Sequence, residues 1–110
     1  MSHYRKRPVV IEAQRVQTHN LAEMATWCGG VAYTDETPWD YSAGGVIMPD
    51  GHIAHVSHRD WGVIVATLEG DMLARFGWWV IKGVKGEFYP CDPEIFAATY
   101  EPAESPKPTD

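Results

Sequence analysis

Residues 67–101 read TLEGDMLARFGWWVIKGVKGEFYPCDPEIFAATYE, and this stretch decides the fold class. Short apolar runs at 72–74, 78–82 and 87–89 are separated by Gly70, Gly77, Gly83 and Gly86. Glycines at that spacing turn the chain before a helix can complete two turns, so the pattern predicts three short strands. Asp92-Pro93-Glu94 then sets a capping carboxylate, a first-turn proline and a second acid in order, which predicts one or two helical turns over 93–98. Residues 99–101 close the domain.

Working back from this stretch, residues 61–68 form an apolar run continuous enough to predict a central strand. Pro49-Asp50-Gly51 between the apolar runs 46–48 and 52–56 predicts a hairpin. Residues 35–45 hold a proline, two glycines, Trp39 and Tyr41 with no period, which reads as a loop, and 31–34 reads as a brief strand. Leu21, Met24, Ala25 and Cys28 recur at helical spacing between Asn20 and Gly29-Gly30. Asn20 with Glu23 three residues on is a capping-box arrangement, and the glycines supply a left-handed stop. The apolar face of this helix is expected to cover a sheet. Residues 8–17 alternate, with Val9, Ile11 and Ala13 on one face, and predict a first strand. The expected fold is α+β: a small, strongly bent antiparallel sheet or partly open β-barrel, with one N-terminal helix and one short C-terminal helix. Residues 1–101 make one domain, and the proline-rich stretch 102–110 is expected to be a disordered tail.

Tyr4 to Gln14, YRKRPVVIEAQ, together with TLEG, GEFYPC and IFAATYE in the opening stretch, resembles a family of small bacteriophage and prophage proteins. Those proteins begin YRKKPVVIEA and end on a pattern like TLEG, PGDW and GEFYPCKPDIF followed by ATYEP. The resemblance implies a viral protein made in the host cell; it assigns no activity and no catalytic residue. Where relatives carry a Pro-Gly-Asp-aromatic turn, this chain has Phe76-Gly77-Trp78-Trp79.

At 110 residues the chain is long enough for one modest core without an obligatory metal or disulfide. The net charge of −6 is uneven: the first fifteen residues carry +3 through Arg5, Lys6, Arg7 and Arg15 against Glu12, and the remainder carries −9. Nucleic-acid binding needs a contiguous cationic surface, so no nucleic-acid partner is expected. No apolar run is long enough to span a bilayer, and the first twenty residues are too polar for a signal peptide, so no membrane partner is expected and the host cytoplasm is the expected location. Cys28 and Cys91 form no CxxC pair and are expected to be thiols in that compartment.

His52, His55 and His58 have the one spacing that suggests metal. On a strand, His55 faces away from the other two, which lie about 20 Å apart, so no metal site and no cofactor is expected. Glu69, Asp71 and Glu87 are conceivable as an acid/base set, but Glu69-Gly70-Asp71 reads as a solvated turn. The aromatics are the better candidates. Alternation puts Trp78 and Trp79 on opposite faces: either Trp79 is inward and Trp78 outward beside Phe76, or both faces are covered, one by the helix and one by the loop at 35–45. Exposed Phe76 and Trp78, with Trp39 and Tyr41 of the loop, are the candidate binding residues. They point to a non-enzymatic protein that binds a host protein. A second reading is a small-molecule binder with a barrel lined by Trp61, Trp79 and Tyr89; a third is a small metal-dependent enzyme.

Overall fold

The computed structural model describes residues 2–4, 9–56 and 61–103. Its elements are β1 (Glu12–Arg15), α1 (Leu21–Cys28), β2 (Val31–Tyr33), β3 (Val46–Ile47), β4 (Ile53–Ala54), β5 (Gly62–Thr67), β6 (Gly70–Arg75), β7 (Trp79–Lys82), β8 (Phe88–Cys91) and α2 (Pro93–Thr99). The strands pair antiparallel throughout, in two three-stranded sheets ordered β1-β7-β8 and β2-β5-β6 and a separate β3-β4 hairpin. The architecture is α+β, and no described ladder closes into a barrel. No described helix is long and apolar enough to cross a membrane. The stretch expected to be a tail lies, from residue 104 on, outside the described residues.

β5 is the centre of its sheet because both of its faces are covered. Val63 and Val65 point into a cluster with Val16, Met24, Cys28, Ala74 and Val80, whereas Ile64 points into a second cluster with Tyr33, Val46, Met48 and Ala54. A strand buried on two sides needs continuous rather than alternating apolar residues, which is the pattern of 62–65. The first cluster is roofed by α1, the second by the β3-β4 hairpin. Two buried faces on one strand explain how a short chain builds a core out of strands of two to six residues.

The apolar face of α1 is the expected one: Met24 and Cys28 are buried, and Leu21 packs against the same cluster. Gly29 ends the helix in the left-handed region at φ 67°, and the Gly30 N–H donates to the Ala25 carbonyl at 2.9 Å. The capping box does not form. The Asn20 side chain turns back instead, accepting from the Gln17 N–H at 2.9 Å and donating to the Arg15 carbonyl at 2.8 Å. It therefore ties the helix start to the end of β1, a long-range duty that displaces the local cap. At α2 the local rule holds: Asp92 accepts from the Glu94 N–H at 2.8 Å and the Ile95 N–H at 3.4 Å.

β1 is shorter than expected, four residues paired with β7, while Val9 and Val10 before it are exposed. Its register sets Glu12 opposite Lys82 and Arg15 opposite Trp79, where the guanidinium sits 5.9 Å from the indole centroid. The turn from β6 to β7 passes through Gly77 at φ 86°. Its N–H donates to the Val16 carbonyl at 2.9 Å, and its carbonyl accepts from Arg15 Nε at 3.1 Å, so this turn is bolted to the β1 end.

Candidate functional site

Trp78 immediately precedes β7 and Trp79 opens it, and the structure half-buries both rings, one on each face, so Trp78 is not the expected outward ring. Trp78 and Val80 face α1, where Trp78 packs against the cluster of Val16, Met24 and Val63. Trp79 lies on the opposite face and is covered by α2, its ring stacked on Phe96 at 4.1 Å and 6°. Val80 and Ile81 are both fully buried, so both faces of this strand are interior. Alternation separates the two rings correctly but cannot say which face is covered when each has its own helix. Trp78, half-buried on the core, has a structural duty; Phe76, exposed in the β6-β7 turn, has no such anchor.

The other two candidate aromatics do come together. Residues 34–45 are held by side-chain and backbone bonds of their own. Thr37 Oγ1 donates to the Ala32 carbonyl and accepts from the Thr34 N–H, each at 2.9 Å. Asp40 accepts from the Ser42 hydroxyl at 2.8 Å and the Ala43 N–H at 3.1 Å, and these bonds hold its carboxyl below the usual carboxylate range. The loop so shaped presents Trp39 and Tyr41 to a cleft of about 320 Å³ that they share with Tyr33, Asp35 and Trp61. Tyr33 is the buried floor, its ring 6.5 Å from that of Trp39, while Tyr41 and Trp61 are 84 % and 43 % exposed. Trp61 immediately precedes β5 and meets the loop only through the tertiary fold.

The aromatics expected to line a single small-molecule pocket are dispersed: Trp61 borders this cleft, Trp79 a groove beside Val9, Val10 and Phe96, and Tyr89 a third hollow beside Met72 and Phe88. Tyr89 is pushed up to about 12 by burial and by its hydrogen bond with the Tyr100 hydroxyl at 3.4 Å, so it is a neutral phenol at physiological pH.

His52 has two carboxylate partners. Its Nδ1 faces Asp50 Oδ1 across the β3-β4 turn, and its Nε2 lies 2.9 and 2.8 Å from the two oxygens of Asp71 on β6. The bonds to Asp71, then to Asp50, raise its pKa, while the His52 N–H and ring together lower that of Asp50. The trio pins the hairpin roofing the second cluster to the edge of the β2-β5-β6 sheet. His55 Nδ1 lies 3.0 Å from the Gly44 carbonyl; His58 lies outside the described residues. Among the described residues no three His, Cys, Asp or Glu side chains converge as a metal-binding set. Cys28 and Cys91 are free thiols, each raised in pKa by burial. Of the three carboxylates considered as an acid/base set, Asp71 is committed to His52, whereas Glu69 and Glu87 border one hollow together.

Comparison of this chain with known protein families, with curated proteins and with solved structures returns no match.

Proposed function

We propose that the protein is a non-enzymatic bacteriophage protein that works in the host cytoplasm by binding a host protein, and that the Trp39, Tyr41 and Trp61 cleft is its contact surface. The observation that carries this reading is the exposure of Tyr41 and Trp61 on either side of a cleft floored by Tyr33. Large aromatics bury much area at small entropic cost and dominate the energetics of protein interfaces, so their presentation to solvent around a concavity suits recognition. The viral origin rests on the resemblance of residues 4–14 and 67–101 to phage proteins. The short strands then serve as a bent-sheet scaffold on which the loop at 34–45 is displayed.

The test is affinity capture from host lysate with quantitative mass spectrometry, comparing wild type with Tyr41→Ala, Trp61→Ala and Phe76→Ala. A host protein retained by wild type and by Phe76→Ala, but reduced at least tenfold by the two cleft variants, supports the reading; tenfold corresponds to the roughly 1.4 kcal/mol scale of a modest hot spot. Equal capture by folded cleft variants refutes it. Loss confined to Phe76→Ala would move the surface to the β6-β7 turn.

A further inference from the structure

The hollow bordered by Glu69 and Glu87 shares no lining residue with the aromatic cleft, and its chemistry is different. It is a groove of about 420 Å³ between the β5-β6 turn and the start of β8. Its walls are Leu68, Met72, Phe88 and Tyr89, and two of these are unusually open for apolar side chains: Leu68 is 85 % and Met72 44 % exposed. Nothing in the hairpin's own geometry requires a leucine at its tip, where solvent exposure of an aliphatic side chain brings no folding free energy.

The two acids belong to the same surface. Glu87 is fixed by accepting the Lys85 N–H at 3.1 Å, and the Glu69 backbone is fixed by donating to Thr67 Oγ1 at 3.1 Å. The Glu69 carboxylate has no partner among the described residues. Lys82 does not line the groove; its ammonium lies 6.0 Å from the centroid of the Phe88 ring, which shows that a cation is accommodated against this aromatic. Apolar walls with a doubly anionic rim, on a chain of net charge −6, complement one kind of group: a cation on an aliphatic stem.

We propose that this groove is a docking site for a basic peptide segment of a partner protein, one that presents an arginine or lysine beside an aliphatic residue. The aliphatic residue and the methylenes of the basic side chain lie on Leu68, Met72 and Tyr89, and the charged head reaches Glu69 and Glu87. Met72 suits such a site because its unbranched thioether adapts to differing side chains. This site is independent of the aromatic cleft and does not depend on the reading given to it.

The probe is acetyl-Leu-Arg-Leu-amide, followed by methyl and amide NMR titration of the full chain, with the isosteric neutral citrulline peptide as comparison. The arginine peptide should shift the Leu68 and Met72 methyls and the Phe88 and Tyr89 amides saturably, and the citrulline peptide should bind about fivefold more weakly, the scale of two exposed ion pairs. The double variant Glu69→Gln/Glu87→Gln, isosteric and still able to accept the Lys85 N–H, should lower arginine-peptide affinity to the citrulline level without changing the melting temperature. Should the double variant fail to fold, Glu69→Gln alone, in an exposed turn, is read in the same way and should weaken binding about twofold. Equal affinity for the two peptides overturns the proposal, as does perturbation centred elsewhere. Concentration-dependent shifts of the groove residues without peptide overturn it in favour of a second copy of the chain as occupant. Tyr41→Ala should leave the titration unchanged, which separates failure here from failure of the cleft.

Discussion

Replacing Met24 by alanine tests the core at the point where helix and sheet meet. Met24 is 0 % exposed and belongs to the cluster that joins α1 to β5, β6 and β7 through Val63, Val65, Ala74 and Val80. Truncation removes the thioether and its flanking methylene and methyl from a dry environment, about 2 kcal/mol at roughly 0.8 kcal/mol per methylene-sized group. A cavity term adds to this, because Val63, Val65 and Val80 sit on sheet backbone that cannot collapse into the space. The expected loss is therefore about 3 kcal/mol, within the range of roughly 2–5 kcal/mol for such truncations. An unfolding entropy near 2.1 cal/mol/K per residue gives about 0.23 kcal/mol/K for this chain, so the melting temperature should fall by about 13 °C. Guanidinium unfolding followed by tryptophan fluorescence, together with calorimetry, measures both quantities. Val84→Ala, at an exposed turn position, is the control and should change stability by less than about 0.5 kcal/mol. A loss below about 0.5 kcal/mol for Met24→Ala, with an unchanged denaturant slope, would refute the placement of α1 over the sheet.

Trp78→Ala should cost about 2 kcal/mol, below the roughly 3–5 kcal/mol of a fully buried tryptophan because the ring is only half-buried against the α1 cluster; a loss under about 0.5 kcal/mol in equilibrium unfolding would mean that the ring faces solvent after all. His52→Gln should show a pH-dependent deficit. The folded-state pKa of His52 is raised by Asp71 and Asp50, so its contribution is fully present below the unfolded value near 6.5 and is lost as pH rises through the folded value. The gap in melting temperature between wild type and variant should be larger at pH 5.5 than at pH 9, and an equal gap at both would show that the trio adds no charge-dependent stability. Asp50 acts in the opposite sense: its lowered pKa gives stability that is lost as pH falls through the folded value.

The chain's local order was determined by residues acting on their near neighbours. Pro49-Asp50-Gly51 forces a turn between β3 and β4, Gly29 stops α1, Asp92 and Pro93 start α2, and the unbroken apolar run of 62–65 requires a strand covered on both sides; each follows from backbone preference or periodicity within a few residues. Trp39 and Tyr41 were likewise legible as a loop pair from their lack of period, but the packing of Trp39 against the second cluster was not. What the tertiary structure decided was which surfaces meet. Alternation divides Trp78 from Trp79, but α1 and α2 approach β7 from opposite sides, and only their docking makes Trp78 the core ring and Trp79 the partner of Phe96. The same holds for Asn20, whose side chain prefers the Arg15 carbonyl to a local cap, and for His52, whose partner Asp71 is 19 residues away. Trp61 reaches the loop through the pairing of β2 with β5, and Glu69 meets Glu87 at one groove through packing of the β2-β5-β6 sheet against β8, neither of which a local pattern encodes. Short-range preferences fix where a chain bends and which residues share a face; long-range burial, which is non-directional and scales with the area removed from water, selects which faces come together.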